Sequence, residues 1–212
     1  MTIMFVPVGE QIKPIYEGFK YVKNVDKVYL LASKKTMGYA SEVSEKIGEI
    51  YNTEILDVTP EELDNVICKL IEVAEKHKKD KVVSNVTGGT KIMSLSCYIL
   101  CSYLGGDAFY IFKTDEGKMR YIEMPVLKIK LNSIIEEKST RSRILEKLME
   151  REYSSLTSLA KELRIKNSTL SALLDDLSEQ GLIKLKREGR KLKIEISKTG
   201  KIIYKIRKFK NE

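Results

Sequence analysis

Apolar runs of strand length alternate with stretches of helical spacing through the first 125 residues. Thr2–Val8 is an apolar run ended by Pro7 and Gly9, after which Ile12, Ile15, Phe19 and Val22 recur at helical spacing. Lys27–Ala32 predicts a second strand, Tyr39–Tyr51 a helix with Val43, Ile47 and Ile50 on one face, and Glu54–Val58 a third strand. Thr59-Pro60-Glu61-Glu62 carries the residues of a helix start: a capping hydroxyl, proline at the first position, acids at the positive end of the dipole. The helix behind it turns Leu63, Val66, Ile67, Leu70, Ile71 and Ala74 inward. Lys81–Val86 predicts a fourth strand, Ile92–Leu104 an apolar helix, and Asp107–Phe112 a fifth strand. Met119–Met124 predicts a sixth, antiparallel after the turn at Asp115-Glu116-Gly117. This alternation predicts an α/β fold: a Rossmann-like, mostly parallel sheet with helices on both faces and its first and fourth strands adjacent.

The pattern then changes, dividing the chain into residues 1–125, a linker over 126–138 and a second domain over 139–212. Thr140–Glu150 predicts a helix buried through Ile144, Leu145 and Leu148. Ser154-Ser155-Leu156-Thr157 starts another, running through Leu159, Ala160 and Leu163. A turn at Arg164-Ile165-Lys166 leads to a helix over Asn167–Gln180 with Leu170, Leu173, Leu174 and Leu177 inward. Leu182–Lys186 and Lys191–Ile196 flank a hairpin turn at Arg187–Arg190, and Lys198–Lys210 is a basic last helix. From LAKEL through STLSALLDDLSEQGLI this text resembles the winged helix-turn-helix of bacterial and archaeal transcription regulators, over about residues 139–200. The resemblance implies a helix in the major groove of double-stranded DNA and a hairpin wing on the flanking backbone. Asn167, Ser168, Ser171 and Ala172 face away from the leucines, where they can meet base edges and a thymine methyl. Lys166, with Lys184, Lys186, Arg187, Arg190 and Lys191 of the wing, would meet phosphates.

Charge supports that division. The 212 residues are 42% apolar and 32% charged, which excludes a disordered chain. The net charge of +8 is uneven: residues 1–137 hold 18 basic and 20 acidic side chains, residues 138–212 hold 20 and 10. A chain with only two glutamines, Gln11 and Gln180, fits heat adaptation, but that would add charges of both signs, not an excess of ten in one third. No apolar run reaches membrane-spanning length, no basic leader precedes the first strand, and three cysteines are too few for a disulfide scaffold, so a cytoplasmic protein is expected. Cys97 and Cys101, four apart on an apolar helix, read as core and not as zinc ligands. The one histidine, His77, lies in the charged run Glu75–Asp80, the solvated end of a helix. Multi-histidine metal sites within one chain are thereby excluded, and no metal or cofactor is expected.

Candidate chemistry lies where the first and fourth strands end, because open α/β sheets bind ligands in that crevice. One segment there is Gly9, Glu10 and Gln11; the other is Thr87, Gly88, Gly89, Thr90 and Lys91. Two glycines between strand and helix let the backbone approach a ligand, the helix start offers free N–H groups, and Thr87, Thr90 and Lys91 add donors. The spacing is not a P-loop, and Gly9 begins no dinucleotide fingerprint. A plain reading stands beside this one: a tight turn with threonine as cap and lysine in water.

The stretch SNVTGGTKIMS, between a buried strand and an apolar helix, resembles the signature of the CARF (CRISPR-associated Rossmann fold) domain, over about residues 1–125. With the winged helix-turn-helix behind it, the chain resembles the archaeal type I-A CRISPR transcriptional regulators. The resemblance implies a homodimer with a cyclic oligoadenylate, most often cyclic tetra-adenylate, across its twofold axis. Carried over, the ligand residues are Gly9, Glu10, Gln11 and Thr87 to Lys91, with Ser33 and Lys34 after the second strand as weaker candidates. Glu10 departs from what an anion wants. The function implied is ligand-responsive regulation of CRISPR or antiviral genes. Two alternatives stay open: a ring nuclease that positions a ribose 2′-hydroxyl in line at the same site, and a regulator that binds no ligand. A CARF-linked ribonuclease needs Arg-x4-His, and Glu72 stands five residues before His77.

Overall fold

The continuous apolar runs become the central strands of one sheet. A computed structural model describes residues 1–77, 79–126, 139–188 and 191–211, and the chain divides into two units, Met1–Ile129 and Lys130–Glu212. In the first, β1 (Thr2–Pro7), β2 (Lys27–Ala32), β3 (Asn52–Asp57), β4 (Lys81–Asn85), β5 (Asp107–Lys113) and β6 (Met119–Met124) lie in the order β3-β2-β1-β4-β5-β6. All neighbours run parallel except β5 and β6. Helices α1 (Lys13–Gly18), α2 (Met37–Ile47), α3 (Leu63–Ala74) and α4 (Lys91–Leu104) alternate with the strands. Strands covered on both faces must be apolar on both. Ile3, Met4, Phe5 and Val6 of β1, and Val28, Leu30, Leu31 and Ala32 of β2, are accordingly fully buried. The edge strands β3 and β6 carry the more exposed patterns.

Some expectations need correction. Thr59 does not cap the third helix: Glu62 donates back to the Thr59 carbonyl in a turn, and the helix begins at Leu63 with Glu62 at its N-cap. The first helix stops at Gly18, well before Val22. Ile50, expected inward, lies beyond the end of α2 and is 77% exposed. His77 is not solvated. Its Nε2 sits 2.7 Å from the Tyr29 hydroxyl and its Nδ1 2.9 Å from Asp80, at the amino end of the sheet. Tyr29 is buried and needs a hydroxyl partner, which is what draws the imidazole in. The His77 hydrogen bond, above all, holds the Asp80 carboxyl below its usual range. Cys97 and Cys101 are buried, as expected; burial pushes the Cys101 thiol up to about 12.

The second unit runs α5 (Thr140–Glu150), α6 (Leu156–Leu163), α7 (Asn167–Glu179), β7 (Ile183–Glu188), β8 (Lys191–Ile196) and α8 (Lys198–Asn211). β7 and β8 form an antiparallel hairpin, and Tyr153 bridges to Ile194 of β8. Ser139 and Ser155 cap α5 and α6 by accepting from the Ser142 and Ser158 amides. Ile144, Leu145, Leu159, Leu163, Leu170, Leu174 and Leu177 form the core; Leu173, expected among them, is only half-buried. Of the expected linker, only residue 126 falls within the described residues. Among the described residues no helix is long and apolar enough to cross a membrane, and no acidic, histidine or cysteine cluster could hold a metal ion.

Candidate functional site

β1 and β4 are neighbours, so the chain leaves both at the same end of the sheet and a crevice opens between the two exits. A cleft of about 440 Å³ occupies it. Gly9, Glu10 and Gln11 line it from the loop after β1, Ser33, Lys35 and Thr36 from the loop after β2, and Thr87, Gly88, Gly89 and Thr90 from the loop after β4. Tyr110, Ile111 and Lys113 of β5 close one side and Pro14 of α1 another.

The two glycines owe their place first to packing. A Cβ on Gly88 would stand 2.4 Å from the Pro7 carbonyl oxygen, and one on Gly89 2.7 Å from the Pro7 Cβ. Gly89 also has φ +72°, the left-handed region that disfavours side chains. The β1 and β4 exits therefore touch, backbone to backbone, and this contact sets the floor of the cleft. Thr87 is fixed as well: its hydroxyl donates to Asn85 Oδ1 and accepts from the Ile111 amide at 2.8 Å. Its hydrogen is therefore not free for a ligand. Thr90 caps α4 by accepting from the Met93 amide at 3.3 Å, which leaves its own hydroxyl hydrogen available. The Lys91 and Ile92 amides, ahead of the capped Met93 amide, have no intrahelical acceptor and suit an anion. Glu10 is answered across the cleft by Lys35, 3.6 Å away.

In the second unit, α6, the turn 164–166 and α7 form the helix-turn-helix. Arg164 closes α6 at φ 59°, with its amide turned back to Lys161 and Ala160 carbonyls. Arg143 donates to the Leu163 carbonyl at 2.9 Å and Arg141 to Asp176 at 2.6 Å, so α5 holds both helices in register. Asn167, Ser168 and Ala172 are exposed on one side of α7 and Ser171 is half-buried beside them. Lys161, Arg164 and Lys166 around the turn, and Lys184 and Arg187 on the wing, are exposed. Lys186 instead pairs with Glu195 at 2.9 Å. Arg190 and the Lys191 side chain lie outside the described residues.

Residues 2–116 match the family described as HFX_2341_N:-like, N-terminal. The chain belongs to this family. Residues 138–184 of this HFX_2341-like chain match a helix-turn-helix described as bacterial regulatory protein, arsR family. A relative from Archaeoglobus fulgidus, described as an uncharacterized protein, is 24% identical over 193 residues, 84% of each chain. Among solved structures, Can2 from Sulfobacillus thermosulfidooxidans in complex with cyclic tetra-adenylate is 14% identical, with a TM-score of 0.48 over 97% of this chain and 64% of that one. VC1899 from Vibrio cholerae is 11% identical, with a TM-score of 0.47 over 99% and 65%. The chain thus spans less than two thirds of each of these solved structures. Strand order, the TGGTK turn at the β1–β4 crevice and the regulator-type helix-turn-helix agree with a CARF domain followed by a winged helix-turn-helix.

Eight of the ten residues expected at the ligand site of the HFX_2341-like unit line one cleft; Lys34 and Lys91 do not. Both are exposed, Lys91 as the first residue of α4. Sequence reasoning missed Lys35, Tyr110 and Lys113. The last two carried a signal: β5 follows β4 directly, so its carboxyl end was bound to flank the crevice. In the second unit, Lys161 and Arg164 stand exposed near Lys166 and were not among the expected residues.

Glu162 ties α6 to the chain before it. It accepts from the Tyr153 hydroxyl at 2.7 Å and from Arg151 at 2.9 Å, with Lys147 at 3.2 Å. These bonds, Tyr153's first, hold its carboxyl down to about 2. A depressed carboxyl contributes stability above its unfolded value near 4.5 and loses it as pH falls through the folded value. The second unit is therefore expected to weaken between about pH 4.5 and 2. Glu162→Gln should flatten that part of the curve, as read by circular dichroism melts across pH.

Proposed function

We propose that the protein is a homodimeric, DNA-binding regulator of CRISPR or other antiviral genes that responds to a cyclic oligoadenylate, cyclic tetra-adenylate foremost. The cleft carries the reading: a helix N-terminus, a free threonine hydroxyl, two lysines and an aromatic ring converge on about 440 Å³ at the sheet's switch point. That is a set of groups for phosphates and a base. One chain supplies one such cleft, and a twofold pair would present each element twice to a symmetric ring. An apolar face borders it. Phe112 and Ile122 share a sheet face with Tyr110, and Leu95 stands out from α4; all three are 43–52% exposed. A second copy of the chain is the occupant that would cover this face and align two clefts.

The DNA half of the reading rests on the exposed face of α7 and the basic turn and wing. α4 offers a route between the halves. It begins at Thr90 in the cleft, and its Tyr98 hydroxyl donates to the Pro125 carbonyl at 2.6 Å, where the chain leaves β6. Ligand that reorients α4 would move this exit. The coupling is reciprocal and typically about 5- to 150-fold in affinity.

The test is operator binding, by anisotropy at fixed salt, with and without cyclic tetra-adenylate. A shift of that size supports the reading, and equal affinity refutes the coupling. Tyr98→Phe is expected to shrink the shift while ligand and DNA each bind as in the wild type.

A further inference from the structure

Two cations in the cleft come from outside the TGGTK turn. Lys113, the last residue of β5, lines it and makes no ion pair with a described side chain. Lys35 lines it from the loop after β2, with its ammonium 3.6 Å from Glu10 Oε1. Lys91 stands outside the lining. While Glu10 and Lys35 cancel, Lys113 is the lysine of the cleft lining that makes no ion pair with a described side chain. An entering phosphodiester would draw Lys35 from Glu10 and leave the Glu10 carboxylate facing an anion.

We propose that Lys113 and Lys35, not Lys91, hold the phosphates of the ligand, and that Glu10 sets a lower affinity by holding Lys35. This rests on the oligoadenylate reading only for the identity of the ligand; the assignment of cations applies to any phosphate in the cleft. It gives Glu10, which by charge alone opposes the site, a role in it. Ligand must compete with an internal carboxylate, and one that also gains from Tyr110 competes better than a bare anion.

The experiment is a calorimetric titration of the full chain with cyclic tetra-adenylate and, separately, with pyrophosphate as a bare anion. The proteins are wild type, Lys113→Ala, Lys35→Ala, Lys91→Ala, Glu10→Gln and the Lys35→Ala/Glu10→Gln pair. Lys113→Ala is expected to weaken both probes by about tenfold or more, the size of a charge-assisted hydrogen bond. Lys91→Ala should change them by less than about twofold. Glu10→Gln should tighten both by about threefold, and this gain should vanish in the Lys35→Ala background. All four side chains are exposed, so unchanged melting temperatures serve as the folding control. A larger loss from Lys91→Ala than from Lys113→Ala overturns the proposal, as does weaker binding by Glu10→Gln. Lys113-dependent binding of pyrophosphate without binding of cyclic tetra-adenylate supports the cation assignment and defeats the oligoadenylate reading. Binding of neither probe by the wild type defeats both.

Discussion

Gly88→Ala is expected to lower the melting temperature of the first unit by roughly 5–10 °C and to abolish ligand binding in the cleft. The added Cβ would stand 2.4 Å from the Pro7 carbonyl oxygen, and its partner is backbone, which cannot swing aside. Either the β4 exit lifts off the β1 exit or β1 shifts within a sheet whose neighbours are fully buried. Overpacking of this kind costs about 1–3 kcal/mol or more. The same displacement spoils the floor of the cleft and the entry to α4. Gly38→Ala is the control: nothing lies within 4 Å of its Cβ, and it sits in the first turn of α2, so a neutral or slightly stabilising change is expected. Differential scanning fluorimetry of the two variants decides the point. A Gly88→Ala protein that melts and binds like the wild type would mean that the two exits do not touch.

The second large effect is expected on DNA. Replacing Lys161, Arg164, Lys184 and Arg187 by alanine should weaken operator binding by roughly a thousandfold near 0.1 M salt. The slope of log affinity against log salt should fall by about 0.9 for each phosphate that is no longer neutralised. These four are exposed and make no ion pair with a described side chain, so their charge is available to the phosphates. By contrast Lys193, 3.3 Å from Glu195 and 2.8 Å from Glu152, has its charge answered within the protein. Lys193→Ala should change the salt slope far less. Gel-shift or anisotropy titrations between about 50 and 200 mM salt measure both. An unchanged slope in the four-fold variant would place the DNA elsewhere.

Much of this molecule is legible in its sequence because buried parallel strands leave little choice. Lys27–Ala32 falls where the pattern puts it, and the first and fourth strands pair as the α/β alternation requires. α5 also falls where the pattern puts it, over Thr140–Glu150 with Ile144, Leu145 and Leu148 buried. What misleads is local chemistry with two outlets. Thr59-Pro60 reads as a cap, yet the same residues make a turn, and only the tertiary course of the chain selects between them. His77 reads as solvated because its partner, Tyr29, is 48 residues away. The cleft was half legible. The glycines and threonines mark it in a single motif, whereas Lys35 arrives from the loop after β2 and Tyr110 and Lys113 from β5, outside that motif. Lys91 shows the converse: it belongs to the motif text, and the helix it opens leaves it exposed outside the cleft lining.

The central claim is that one cyclic oligoadenylate bridges two clefts. Calorimetric titration of the purified chain with cyclic tetra-adenylate, with linear tetra-adenylate as control, tests it most directly. The account predicts tight binding at one ring per two chains and markedly weaker binding of the linear form. One ring per chain, equal binding of the linear form, or no heat at all would contradict it.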